Sequence, residues 1–115
     1  MIEGELTKFR GALQRSWSLK TSSLWLPDNP ARGQCNVTSL LFHDCFGGEI
    51  LKTPIGGEWH FYNRVAGMTY DMTAAQFAVR PEYLDIPSTR AETLEGTTLE
   101  QYEALAAAVR EALGT

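Results

Sequence analysis

A cysteine stands where a loop turns into a helix in the stretch Asn29-Pro30-Ala31-Arg32-Gly33-Gln34-Cys35-Asn36-Val37-Thr38. The upstream proline and glycine are typical of a loop, whereas the apolar residues that follow Cys35 predict a buried helix. A thiol in the first helical turn faces unpaired backbone N–H groups and the positive end of the helix dipole. Both favour the thiolate, which is the nucleophilic form, so Cys35 is the candidate nucleophile.

Two predicted strands downstream carry one histidine and one aspartate. Residues 59–63 form the first of these strands with His60, and residues 69–72 form the next with Asp71. If the connecting turn centres on Ala66-Gly67, His60 and Asp71 lie nearly opposite each other, and opposed Cβ atoms in antiparallel strands are about 4.5–5.5 Å apart. This register makes His60 the candidate base and Asp71 the group that orients it.

Each of these three residues also has a structural interpretation. Cys35 could be a small apolar core residue, and His60 could be a hydrogen-bonded structural histidine. Asp71 could cap the turn that follows its strand, and a slip of one residue in the register would move it to the other face of the sheet. The flanking Gly33, Gln34 and helix start favour the functional interpretation for Cys35.

Acyl transfer also requires hydrogen-bond donors for the developing oxyanion. The backbone N–H of Cys35 is one natural donor at a helix N-terminus. Gln34 and Asn29 each offer a side-chain amide in the preceding loop, and the sequence does not choose between them. Trp25 and Tyr62 are assigned to the same oxyanion or substrate-binding region.

Hydrophobic periodicity predicts an α+β fold in a single domain spanning residues 1–115. An N-terminal helix and the cysteine-bearing helix are expected to pack on a short three-stranded antiparallel sheet, and a C-terminal helix completes the domain. Two capping boxes, Thr73–Gln76 and Thr98–Gln101, each predict a helix start. The expected helices span residues 2–18, 33–46 and 99–113, the expected strands span 49–53, 58–64 and 69–72, and residues 80–96 are expected to be irregular.

Composition narrows the class of protein. The chain has 115 residues with 43% apolar content and a net charge of −4, and it lacks a basic run of the kind that binds nucleic acid. It has no apolar stretch of the roughly 20 residues that span a bilayer, and its first residues lack the pattern of a secretory signal. A cytoplasmic protein with no membrane association is therefore expected. Cys35 and Cys45 would lie about 15 Å apart on one helix, which excludes a disulfide between them.

Four motifs resemble the YunG-like family of small bacterial proteins. They are Trp25-x-Pro-x-Asn-Pro-x-x-Gly-Gln-Cys-x-Val-Thr, Phe46-Gly47-Gly48-Glu49-Ile50, His60-Phe61-Tyr62-Asn63-Arg64 and Tyr70-Asp71-x-Thr73-x-x-Gln76-Phe77. More distantly, the order of a helix with Cys, a strand with His and a strand with Asp is similar to the papain-like cysteine hydrolases, which include NlpC/P60 and transglutaminase-like proteins. That resemblance implies a small papain-like core with Cys35 as nucleophile, His60 as base and Asp71 as orienting group.

The leading functional hypothesis is a thiol hydrolase or acyl transferase that acts on an amide bond, as a peptidase, amidase or deamidase. It needs a peptide or small amide substrate and no cofactor or metal. The alternative is a binding module without turnover, in which Arg64 meets a carboxylate and aromatic residues line a ligand pocket. A metal site formed by Cys35, His60 and Asp71 is a third hypothesis, although the cysteines lack the close spacing of structural zinc sites. The aromatic residues of the binding-module hypothesis are Trp25, Trp59, Phe61, Tyr62 and Tyr70.

Overall fold

The computed structural model describes residues 2–114 and shows an α+β fold. Two helices come first along the chain, the strands of the sheet follow, and two further helices come last. In chain order the elements are α1 (Ile2–Ser16), α2 (Cys35–Phe46), β1 (Glu49–Ile55), β2 (Glu58–Val65), β3 (Met68–Tyr70), β4 (Ile86–Pro87), α3 (Arg90–Glu95) and α4 (Leu99–Ala112), with one turn of 3-10 helix at Ala74–Gln76.

The core lies where α1 and α4 pack against α2, and α2 in turn packs on the sheet. The spacing of Leu6, Phe9, Leu13 and Trp17 by three and four predicts one apolar stripe on the first helix, and all four residues are buried in this core. Phe9 meets Phe42 and Phe46 edge to face, with ring centroids 6.0 and 5.3 Å apart. The buried members of this cluster are Leu6, Phe9, Ala12, Leu13, Trp17, Ala31, Val37, Leu41, Phe42, Met72, Leu105 and Val109. None of the helices within residues 2–114 is long and apolar enough to cross a bilayer.

Two tight turns connect the three main strands in the expected meander. Gly56 and Gly57 follow β1, and Ala66 and Gly67 follow β2; all four have positive φ angles, at 58°, 84°, 52° and 80°. Two-residue hairpin loops prefer this conformation because it matches the twist of the flanking strands. The turn positions predicted from the sequence are therefore correct, and β1 extends two residues further than expected.

The sheet has four strands rather than the expected three. Its order is β3-β2-β1-β4, and β4 contributes only two residues, which pair with Leu51 and Lys52 of β1. Long-range bonds hold this edge in place: Thr53 Oγ1 donates to the Glu82 carbonyl at 2.7 Å and accepts from the Leu84 N–H at 3.1 Å. Segment 80–96 lacks hydrophobic periodicity, so the sequence predicts neither the short β4 nor the six-residue α3 inside it.

The predicted register, with His60 opposite Asp71 in neighbouring strands, is wrong. β2 and β3 pair with Asn63 opposite Tyr70, and β3 ends at Tyr70, so Asp71 lies just beyond the strand. The turn is at Ala66-Gly67 as expected, but it pairs Val65 with Met68, and this register leaves Asp71 two positions away from the place opposite His60.

The two predicted capping boxes have different outcomes. At Thr98 the box is present, since its hydroxyl accepts from the Gln101 N–H and the Gln101 side chain accepts from the Thr98 N–H. At Thr73 it is absent: the threonine side chain makes no capping bond, and the Gln76 side chain instead accepts from the distant Gly33 N–H. A long-range contact has replaced the local one.

Candidate functional site

Cys35 is the first residue of α2, and its side chain is only 9% exposed. The first helical hydrogen bond runs from the Thr38 N–H to the Gln34 carbonyl at 3.0 Å. The N–H groups of Cys35 and Asn36 precede that bond and receive no intrahelical acceptor. Cys35 therefore lies where the positive end of the helix dipole favours negative charge, as the sequence predicted.

The loop before α2 holds Cys35 through tight packing around Gly33. The backbone of Gly33 has φ +74°, and a Cβ atom there would lie 2.4 Å from Ser22 Oγ. Both the conformation and the space require glycine. The adjacent Gln34 is fully buried, and its Oε1 accepts from Thr21 Oγ1 at 2.8 Å. This loop is thereby fixed by contacts among its own side chains.

His60 lies on β2 and is 3% exposed. β2 is fastened to α2 where Asn63 Nδ2 donates to the Ser39 carbonyl at 3.1 Å. His60 Nε2 is 2.7 Å from Asp71 Oδ2, and the edge of its ring is covered by Phe77, with centroids 4.9 Å apart. The structure thus brings His60 and Asp71 into contact, although not as a cross-strand pair.

Asp71 is held by three further donors besides His60. Tyr83 Oη donates to Oδ2 at 2.7 Å, and the backbone N–H and hydroxyl of Thr73 donate to Oδ1 at 3.2 and 3.3 Å. A carboxylate with this many donors is fixed in position. Asp71 is therefore a rigid partner for His60. Desolvation by burial and this hydrogen bond to Asp71 together raise the pKa of the Tyr83 hydroxyl well above its usual range, so Tyr83 remains a donor.

The other ring nitrogen of His60 lies on the side of Cys35. Burial alone lowers the pKa of His60, but the hydrogen bond to Asp71 and the neighbouring Cys35 side chain outweigh it and raise the pKa to about 9. Nδ1 is buried and has no aligned hydrogen-bond partner among residues 2–114. The Cys35 thiol instead donates to Asn36 Oδ1 at 3.4 Å. A rotation of the thiol away from Asn36 is what would align the sulfur with His60.

The raised pKa of His60 predicts that stability falls as the pH rises. His60 has an unfolded pKa near 6.5 and a folded pKa of about 9. Its contribution is therefore complete below pH 6.5 and is lost as the pH rises through 9. The loss reaches about 3 kcal/mol in the free energy of unfolding. Urea unfolding of the protein and of Asp71→Asn across this range measures it. The decline should be absent or much smaller in Asp71→Asn, and an equal decline in both proteins would contradict the assignment.

Gln76 is a site residue that the sequence analysis missed. Its Oε1 accepts from the Gly33 N–H at 3.2 Å, and its backbone carbonyl accepts from Asn29 Nδ2 at 3.2 Å. Its Nε2 is buried and has no partner within the part of the chain that the structure describes. Because Gln76 lines the same cleft as Cys35 and His60, this amide is a donor available to a ligand. Its sequence signal, a glutamine three residues after Thr73, was interpreted as a capping box.

The four residues predicted to bind an oxyanion or substrate lie behind the walls of the cleft. Gln34 Nε2 lies 3.5 Å from the Ser18 carbonyl, and Asn29 supports Gln76 from the side. Trp25 packs against the core that α1 and α2 share. Tyr62 is 1% exposed and donates to Asp85 Oδ1 at 2.8 Å, while its ring stacks on His60 with centroids 6.0 Å apart. In these positions the four residues can support the site, but they do not line the cleft in which a ligand would bind.

The cleft above Cys35 has a volume of about 310 Å³. This size is at the lower end of the range for pockets that hold small ligands. No group of three or more His, Cys, Asp or Glu side chains within residues 2–114 is arranged to hold a metal ion. The lining residues are Leu24, Arg32, Gly33, Cys35, Asn36, Ile55, Glu58, Trp59, His60, Gln76, Phe77 and Gly96.

Comparison with known proteins places the chain in a family. A model of the family described as YunG protein matches residues 5–114. The chain is also 47% identical, over 93 residues that cover 81% of each protein, to the "Uncharacterized protein YunG" of Bacillus subtilis (strain 168). No solved structure matches it. Because the family model covers nearly the whole length, this α+β protein belongs to the YunG family.

Proposed function

We propose that this protein is a thiol hydrolase or acyl transferase that acts on an amide bond, with Cys35 as nucleophile, His60 as acid–base group and Asp71 as orienting group. The observation that carries the proposal is the position of His60. One ring nitrogen is bound to a fixed carboxylate. The other is buried, has no partner among the described residues 2–114, and belongs to a ring next to a thiol at a helix N-terminus. A nucleophile, a base and a third group that orients the base form the arrangement that activates a thiol.

The proposed reaction has two stages. The Cys35 thiolate attacks the carbonyl carbon of the amide, and the imidazolium of His60 gives its proton to the leaving amine as the C–N bond breaks. A thioester remains on Cys35. His60, now neutral, takes a proton from water or another nucleophile, which attacks the thioester and releases the acyl group. Asp71 keeps the imidazole in one orientation throughout.

Two donors can hold the oxyanion that forms during each attack. The backbone N–H of Cys35 is free of helical hydrogen bonds, and Gln76 Nε2 is buried without a partner in the same cleft. Buried donors that are already in place stabilise developing charge without reorganising. Gln76 therefore takes the role for which Gln34 and Asn29 were candidates, and Asn29 acts by positioning it.

The more distant relation to papain-like hydrolases and a cytoplasmic location belong to this proposal as well. The chain order of the three residues, with Cys35 at a helix start and His60 on an adjacent strand, supports the papain-like relation. Cys35 and Cys45 are both free thiols, which is typical of proteins in a reducing compartment and supports the cytoplasm.

The experiment is acylation with p-nitrophenyl acetate, an activated acyl donor that needs no knowledge of the natural substrate. We expect a burst of nitrophenolate and an acetyl group on Cys35, detected by mass spectrometry, which water or hydroxylamine then removes. Cys35→Ala should abolish the burst. The exposed Cys45 is the matched control, and Cys45→Ala should retain it. Failure to acylate Cys35, or an acyl group that is never released, would instead favour a binding module without turnover.

A further inference from the structure

The cleft above Cys35 adjoins a second groove. The groove has a volume of about 400 Å³ and shares Asn36, Glu58, Trp59 and Gly96 with the cleft. The two spaces meet at these shared residues, and together they are called the channel. A channel of this size accommodates more than a single amide group.

One end of the channel is cationic. Arg32 lines the cleft but not the groove, and it lies three residues before Cys35 beside Gly33. It is exposed, and no carboxylate within residues 2–114 pairs with it. An unpaired guanidinium at the edge of a cleft is suited to bind a carboxylate in a bidentate manner.

The other end is anionic. Glu58 lies in the shared wall and Glu95 lines only the groove, and neither has an ion-pair partner among the described residues. Glu92 also lines the groove, but it is neutralised by Lys52 and accepts from Ser88 Oγ. Two carboxylates without an ion-pair partner among the described residues therefore line the channel, one in the shared wall and one on the side away from Arg32 and Cys35.

The middle of the channel combines apolar walls with polar groups that lack partners. Trp59 is 47% exposed, yet the Lys52 ammonium, 4.1 Å from the ring centroid, holds it in place. Apolar side chains of Leu24, Ile55 and Phe77 complete the walls. His60 Nδ1 and Gln76 Nε2, both buried and unpartnered within residues 2–114, belong to residues that line this same space. They mark the position of a polar group of the ligand, between the two charged ends.

We propose that the substrate is a short peptide with free termini, whose ammonium group lies near Glu58 and Glu95 and whose carboxylate lies near Arg32. The inference rests on the proposed function, because that function places the scissile amide at Cys35. The charges at each end of the channel match the opposite charges of a zwitterionic peptide, and the walls between them suit an apolar side chain. An internal amide bond of a protein has no charged terminus beside it, so a protein substrate would gain nothing from this arrangement.

The test measures protection of Cys35 against iodoacetamide by the peptide Ala-Leu-Ala, in a Cys45→Ser background. The free peptide should slow alkylation severalfold at concentrations at which its N-acetylated and C-amidated forms have little effect. Glu58→Gln or Glu95→Gln should remove the advantage of the free amine, and Arg32→Gln should remove that of the free carboxylate. Glu103→Gln and Lys20→Gln, which change exposed charges outside the channel, should leave protection unchanged.

Two outcomes separate this inference from the proposed function. Equal protection by the free and blocked peptides, or protection by none of the three, overturns the inference even if Cys35 is acylated and released. Protection requires binding but no turnover. If the protein prefers the free peptide but Cys35 is never acylated, the peptide-binding site is supported and the proposed hydrolase activity is refuted.

Discussion

Replacement of His60 by alanine should slow the acetylation of Cys35 by p-nitrophenyl acetate about 10²–10⁴-fold at neutral pH, the range typical of a lost acid–base group. In the structure His60 is the ionisable group beside the thiol, and its pKa of about 9 keeps it protonated at neutral pH. An imidazolium next to the sulfur stabilises the thiolate, so its loss also removes the nucleophilic form. Iodoacetamide alkylation of Cys35 should therefore slow as well.

The chain contains its own control for this experiment. His43, the other histidine, lies on α2 with its Nδ1 3.1 Å from Arg90 and does not line the cleft. His43→Ala should leave both reactions within about twofold of the parent protein. His60→Gln guards against loss of folding, because its side chain fills most of the same space, and circular dichroism monitors both variants. If folded His60→Gln reacts at the parent rate, His60 has no part in activating Cys35.

Replacement of Gln76 by alanine should separate two reactions of the same thiol. Acetylation passes through an oxyanion, and loss of one oxyanion donor typically costs about 10²–10³ in rate. Iodoacetamide reacts by displacement at a saturated carbon and develops no oxyanion on a carbonyl. We therefore expect Gln76→Ala to slow acetylation strongly and to leave alkylation nearly unchanged.

This difference distinguishes a catalytic role for Gln76 from a structural one. Gln76 also accepts from the Gly33 N–H, and a displaced loop would slow both reactions together. Gln76→Glu retains that acceptor but replaces the Nε2 donor with an anionic oxygen, so it should keep the loop in place and still slow acetylation. Gln14, exposed on α1, provides a substitution of the same residue type outside the cleft. Parallel losses in both reactions would show that Gln76 only supports the loop.

Local patterns in the sequence predicted most of the elements. The periodic apolar stripe of α1, the capping box at Thr98 and the two glycine-containing turns each depend on residues only a few positions apart. Such interactions are the same whatever the rest of the chain does, which explains why they can be predicted. β4 and α3 were missed because they are short and are held by contacts with β1 and α2 rather than by their own propensity.

The site required information from distant parts of the chain. The sequence indicated Cys35, His60 and Asp71 as chemically suitable, but it gave the wrong register for the last two. Asp71 reaches His60 from beyond the end of β3, where Tyr83 and Thr73 hold it in place. This contact depends on how segment 71–83 folds back over the sheet, and no spacing rule describes that path.

The sequence by itself determined the residue types, the thiol at the start of a helix and the hairpins that carry the histidine, because each of these rests on short-range backbone preferences. Only the tertiary structure decided which side chains share the cleft. Gln76 shows the physical reason: a local capping bond at Thr73 and a distant bond to Gly33 competed for one amide oxygen, and the packed structure favoured the distant one. That choice left the amide N–H of Gln76 unpaired in the same cleft as Cys35.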